Sequence, residues 1–285
     1  MRKLARLFLL LAAQSIVFAH PGVAIVADSR GNVYYTDLNQ VWCLSPAGKK
    51  TVAVRDVHTH ELWIDSLDNL YGEHLWYEGD ASGKWGHRVW KRTPGGTVTD
   101  IIPSRQGFRD DFDDFHFVRD RAGNMYWADE DSVTVIRKRT PGGRATDILR
   151  KVMRRAGWMT VSPGGTVYLV DGDDLIAIAP GGEARTVARG VTTDEQGRPA
   201  TYDRHAVMGL WTDWEENVYL AIPERDCIKR IGPGGGTTVL DRSSSPWKPS
   251  GALIDARGDL WVLEYSPLNT VRVRQVQRNG VTRIH

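Results

Sequence analysis

The chain has 285 residues, of which 41% are hydrophobic, 25% charged and 9% aromatic. These fractions belong to a packed globular protein and exclude a disordered chain, a collagen-like chain and a membrane helix bundle. Two Cys are too few for a disulfide scaffold, and 29 Gly with 13 Pro point to many short strands joined by tight turns.

Residues 1–19 read as an address rather than as structure. Arg2, Lys3 and Arg6 form a basic head, and an apolar stretch from Leu7 to Ala19 follows. That stretch is shorter than the roughly 20 residues a helix needs to cross a bilayer. The pattern is that of a secretory signal peptide cleaved after Ala19, which leaves residues 20–285 as one exported unit, secreted or periplasmic, with no membrane anchor. The formal net charge of +2 comes from this segment; without it 34 basic residues face 35 acidic ones. No long basic run remains, so nucleic acid is not an expected partner.

Beyond residue 20 the chain repeats itself six times. Each copy begins with an apolar stretch ending in Asp or Ser, turns on Gly or Asn, and continues into a strand with an aromatic. A second hairpin follows, its turn often Pro-Gly-Gly. VAIVADSRGNVYYTD opens the first copy, ELWIDSLDNLYGE the second, FHFVRDRAGNMYWAD the third, WMTVSPGGTVYLVD the fourth, GLWTDWEENVYLAI the fifth and GALIDARGDLWVLE the sixth. The aromatic recurs as Tyr34, Tyr71, Tyr126, Tyr168, Tyr219 and Trp261. Four short strands per copy predict an all-β, six-bladed β-propeller, because one such sheet cannot bury both faces alone. The pattern resembles NHL repeats and the SMP-30/gluconolactonase group of propellers over nearly all of residues 20–285. That resemblance implies the fold, and a function anywhere among lactonases, lyases, synthases and binding modules.

The turns within the two hairpins of each copy are short and uniform. Length variation falls in the b–c connections and in the links between blades, which share the opposite face. Residues 72–88 read as a long b–c insertion in blade 2, residues 103–114 as the link into blade 3, and residues 190–204 as the link into blade 5. Loops of that length are usually functional, so this face is the candidate working surface. His58, His60, His74, His87, His116 and His205 all fall in or beside these segments. His60, Glu61, His116 and His205 lie near the starts of innermost strands, around the channel mouth, and are candidate ligands for a divalent metal, Zn or Ca. Trp76, Tyr77 and Trp85, with His74 and His87, form a candidate ligand-binding set, since exposed aromatics stack on sugar faces or cover a ligand. The acidic run Asp110, Asp111, Asp113 and Asp114 reads either as a solvated loop or as oxygen ligands. Asp171-Gly172-Asp173-Asp174 reads as a b–c turn. Cys43 and Cys227 sit on blades 1 and 5, too far apart to be bridged. Trp42, Trp63, Trp90, Trp127, Trp211 and Trp261 are expected on strands, packed between blades.

Two classes of function follow. The first is a monomeric recognition propeller whose elaborated face binds a small molecule, glycan, peptide or protein. The second is a metal-dependent hydrolase or lyase at the channel mouth. A gluconolactonase-like site implies an acidic ligand on the first inner strand, which His20-Pro21-Gly22-Val23-Ala24 lacks. A site resembling the peptidyl-amidoglycolate lyase propeller implies His60, His116 and His205 as ligands, Tyr202 or Tyr77 as base and Arg204 as a carboxylate clamp.

Overall fold

Each repeat folds into one antiparallel sheet of four consecutive strands, and six such sheets make a six-bladed β-propeller. The computed structural model describes residues 21–79, 81–107, 117–130, 132–154, 156–200 and 205–285. Blade 1 holds β1 (Ile25–Ala27), β2 (Val33–Thr36), β3 (Val41–Leu44) and β4 (Lys50–Val54). Blade 2 holds β5 (Leu62–Ile64), β6 (Leu70–Tyr77), β7 (Trp85–Arg92) and β8 (Val98–Gln106). Blade 3 holds β9 (Phe117–Arg119), β10 (Met125–Glu130), β11 (Thr134–Arg139) and β12 (Ala145–Lys151). Blade 4 holds β13 (Ala156–Val161), β14 (Val167–Asp171), β15 (Asp174–Ile178) and β16 (Ala184–Ala188). Blade 5 holds β17 (Gly209–Thr212), β18 (Val218–Ile222), β19 (Cys227–Ile231) and β20 (Thr237–Arg242). Blade 6 holds β21 (Lys248–Ile254), β22 (Leu260–Tyr265), β23 (Val271–Val276) and β24 (Thr282–Ile284).

Blades 1 and 6 exchange no strand, so the ring closes by contact alone. Ser250 Oγ donates to the Gly22 carbonyl at 2.9 Å. A Cβ on Gly251 would lie 2.0 Å from the Val23 carbonyl oxygen, so this close approach of β21 to the first blade needs glycine.

The turn motif of the sequence is a hydrogen-bonded unit. Asp28 accepts from the Asn32 backbone at 2.8 Å, from Asn32 Nδ2 at 2.7 Å and from Tyr34 Oη at 3.2 Å. Asp65 does the same with Asn69 and Tyr71, Asp120 with Asn124 and Tyr126, and Asp213 with Asn217 and Tyr219. The unit lets a buried tyrosine ring keep its hydroxyl paired. Blade 4 has Ser162 in place of the Asp, and the carboxylate arrives from blade 5. Glu216 accepts from Ser162 Oγ and from Tyr168 Oη, each at 2.6 Å. Glu216 sits at φ 61°, a position that Gly31, Gly123, Gly165 and Gly258 fill in other blades. Its left-handed backbone costs about 1 kcal/mol, which two charge-assisted hydrogen bonds offset. Asp68, at φ 57°, reaches back to Ser29 of blade 1 in the same way.

Apart from the one between blades 2 and 3, the seams between blades follow one rule. The aromatic row of one blade covers an aliphatic row of the next. Tyr34 packs with Leu70 and Ile64, Tyr126 with Val167 and Ile178, Tyr168 with Val218 and Ile231, and Trp261 with Val33 and Leu44. The six tryptophans expected on strands are there, Trp90 and Trp127 fully buried. Cys43 and Cys227 are free thiols, both pushed up in pKa by burial. No helix among the described residues is long and apolar enough to cross a membrane.

Candidate functional site

The upper end of blade 2 departs from the other blades. Residues 72–88 are not an insertion loop. β6 and β7 are each eight residues long and pair from Leu70–Arg92 up to Tyr77–Trp85. The hairpin closes where Glu78 N donates to Lys84 O at 2.9 Å. β8, nine residues long, takes in residues 103–106 that the sequence reading gave to the link. The strands are longer than expected because their tips pack against one another. Trp76 Nε1 donates to Ser104 Oγ at 3.0 Å, and a Cβ on Gly86 would lie 2.0 Å from Arg105 O and 2.5 Å from the Trp76 ring. Against the four-residue inner strands of blade 1, the extra four residues add roughly 13 Å of paired sheet. His74, His87, Trp76, Tyr77 and Trp85 therefore stand on strands, not on a loop. Tyr77 is 59% exposed, and Trp76 and Trp85 are half-buried.

Blade 2 and its approach also hold several buried polar side chains. Thr59, His60, Glu61, Glu73 and His87 are all buried. His60 Nδ1 lies 3.9 Å from Glu73 Oε1. The His58 ring meets His60 edge-on, centroids 4.7 Å apart. His74 Nδ1 accepts from the His58 backbone N–H at 2.9 Å, which fixes the lone pair on that nitrogen. Burial lowers the pKa of both His58 and His74, and the Arg88 charge adds to the shift of His74. Both rings are neutral at pH 7. Glu73 was not singled out by sequence reasoning, although comparison of the repeats exposes it. The same position is Thr36, Ala128, Val170, Ala221 and Leu263 in the other blades.

The expected metal set is not assembled among the described residues, where no group of three or more His, Cys, Asp or Glu is placed to hold an ion. His60 pairs with Glu73, and Glu61 lines the axial cavity. His205 is half-buried on the approach to β17. His116, Tyr202, Arg204 and the run Asp110, Asp111, Asp113 and Asp114 lie outside the described residues. The axis holds a cavity of about 170 Å³ that Glu61, Trp63, Trp158 and Trp211 help to line. Val23, Trp158 and Met208 form a buried apolar cluster there. That volume is below the roughly 300 Å³ of an ordinary ligand pocket.

The long link into blade 5 is fastened down over its described part, residues 190–200. Asp173 accepts from Thr192 N at 2.7 Å and from Thr193 Oγ1 at 2.8 Å. Lys229 Nζ donates to the carbonyls of Val191 and Thr193 at 2.9 and 3.0 Å. Asp171–Asp174 is the tight b–c turn that the sequence suggested.

No protein-family model and no curated protein sequence matches the chain. Solved structures do. Virginiamycin B lyase from Staphylococcus aureus is 14% identical with a TM-score of 0.53, covering 93% of this chain and 84% of that one. A calcium-binding protein, regucalcin, from Agrobacterium tumefaciens is 16% identical with a TM-score of 0.53, covering 86% and 83%. An auxiliary nutrient binding protein from Bacteroides thetaiotaomicron is 11% identical with a TM-score of 0.60, covering 93% and 69%. At these identities the likeness is one of fold, and the chain is a six-bladed β-propeller similar in architecture to the SMP-30/gluconolactonase-like propellers.

Proposed function

We propose that the chain is an exported, monomeric recognition propeller that binds its ligand at the upper end of blade 2, and that the ligand is a glycan. The observation that carries this reading is the flap itself. Three strands are extended and cross-braced by Trp76 to hold the cross-strand pair Tyr77 and Trp85 at the rim, where flat aromatic surfaces stack on sugar rings. The small axial cavity supports it, since its volume is below that of an ordinary ligand pocket. Export rests on the pattern of residues 1–19. An oligosaccharide array probed with labelled protein tests the reading. Wild-type protein should bind a defined set of glycans, and the Tyr77→Ala/Trp85→Ala variant should bind none of them. An array without signal would overturn it.

A second reading, a metal-dependent hydrolase or lyase, is favoured by one observation. His60, Glu61, Glu73 and His87 are buried titratable side chains of one blade, and His60 lies 3.9 Å from Glu73. Lyase and calcium-binding propellers share the fold. The described residues do not complete a metal site, so this reading requires a donor such as His116. Metal analysis of untagged protein decides it. Stoichiometric Zn or Ca that is lost in His116→Ala supports the enzyme, and no metal after loading with either ion removes it.

A further inference from the structure

The seam between blades 2 and 3 breaks the rule of the others. In the row that meets the preceding blade, blade 1 has Ala27, Val33 and Leu44, and blade 4 has Val161, Val167 and Ile178. Blade 5 has Thr212, Val218 and Ile231, and blade 6 has Ile254, Leu260 and Val276. Blade 2 has a single cation there, Arg92, whose guanidinium donates to the carbonyls of Ala53 and Thr93. Blade 3 has Arg119, Met125 and Arg139 directly opposite one another. Facing them, blade 2 presents Trp63, Tyr71 and Lys91. Between the two rows the structure has a cleft of about 530 Å³ instead of a closed seam. The cleft borders the short-turn face, since the turns at Asp65, Asp120 and Thr140 line it.

Cations outnumber carboxylates in its lining. Lys91, Arg119, Arg121 and Arg139 line it against two carboxylates, Asp65 and Asp120. Both carboxylates are engaged in their own turn units. Hydrogen bonds from Asn69, Tyr71 and Leu67 outweigh burial and hold Asp65 below the ordinary carboxylate range. Arg119 donates to Met125 Sδ at 3.1 Å and lies 5.3 Å from the Tyr71 ring centroid, while its Nε is buried without a hydrogen-bond partner. Lys91 Nζ stands 5.6 Å from the same ring and forms no ion pair among the described residues. Two guanidinium groups across one β-row repel, and sister rows show that aliphatic side chains serve for packing. A locally unfavourable pattern retained at a cleft marks a binding site more than a structural need.

We propose that the cleft between blades 2 and 3 is a second binding site, for a small organic anion: an oxyanion held by Arg119 and Arg139, on a flat apolar body that lies against Trp63, Tyr71 and Met125. Guanidinium forks match carboxylate and phosphate oxygens, and the volume suits a body of one or two rings. The site is independent of the aromatic flap and lies toward the opposite face.

Calorimetric titration of the full chain tests this with three probes, 1-naphthoate, 1-naphthyl phosphate and the neutral 1-naphthalenemethanol. At least one anion should bind with a Kd below about 1 mM, and the alcohol at least about tenfold more weakly. The preferred anion tells carboxylate from phosphate. Arg119→Val/Arg139→Ile, which restores the row of blade 4, should abolish binding and raise Tm. Should that variant fold poorly, Lys91→Met reads the opposite wall and should weaken the anion by about threefold or more. Tyr77→Ala should leave anion binding unchanged. Equal affinity for the neutral probe, unaltered binding in the cleft variants, or no binding of either anion up to about 10 mM would overturn the proposal.

Discussion

The short-turn face and the upper end of blade 2 use polar residues in opposite ways. On the short-turn face the same carboxylate recurs from blade to blade, and each copy is saturated by a backbone N–H with an amide and a hydroxyl or, in blade 6, with a guanidinium and an indole. Even the exception obeys, since Glu216 restores to blade 4 what Ser162 cannot supply. At the upper end of blade 2 the buried polar positions are filled differently from blade to blade. Glu61 occupies a position that is His116 in blade 3 but Ala24, Trp158, Gly209 and Gly251 in blades 1, 4, 5 and 6, and the carboxylate of Glu73 has no counterpart in the other five blades. A repeat protein carries its own controls. Polar groups repeated in every unit serve the fold, and buried ones found in a single unit serve something else.

The largest expected effect lies on the structural side. Glu216→Gly keeps the left-handed backbone and deletes the latch, leaving Ser162 and Tyr168 without their acceptor. Stability should fall by about 2 kcal/mol, with ligand binding intact, as read by denaturant unfolding and titration. A loss of binding with unchanged stability would reverse the assignment of the two faces. His60→Val/Glu73→Leu, which copies the residues of blades 1 and 6, should do the opposite. Replacing both members of a buried pair by apolar groups should leave stability unchanged or raise it by about 1 kcal/mol, while function at the upper end is lost. A large destabilisation would make the pair structural.

The smallest effect is a pH slope. His58 and His74 have folded pKa values below the ordinary histidine value because of burial. The unfolded chain therefore binds more protons from about pH 6.5 down to the folded values, and stability falls as pH drops through that window. His74→Asn keeps an acceptor for the His58 N–H and removes one titrating ring. Its unfolding free energy should vary less between pH 7 and 5 than that of the wild type, and an unchanged slope would place the acid sensitivity elsewhere.

The propeller was legible in the sequence because its signal is repeated six times. Asp28 through Tyr34 needs only local spacing to be recognised, and its sisters reinforce it. The upper end of blade 2 looks like a loop in the sequence because its length exceeds the repeat, yet Trp76, Gly86 and Ser104 are joined through packing between strands that no local pattern reveals. His60 and Glu61 were visible as candidates, but their neighbour Glu73 comes from the next strand and depends on register. The arginines of the blade 3 row were hidden for a different reason. Arg119 and Arg139 look like ordinary surface cations until the aliphatic rows of the other blades are laid beside them.

The proposed glycan site stands or falls with Tyr77 and Trp85 on the flap of blade 2. Its sharpest test is calorimetric titration of the strongest array oligosaccharide into wild-type protein and into Tyr77→Ala/Trp85→Ala. A flap-borne site requires at least a tenfold loss of affinity, about 1.4 kcal/mol, with Tm unchanged within about 2 °C. Equal affinity for the two proteins would overturn it.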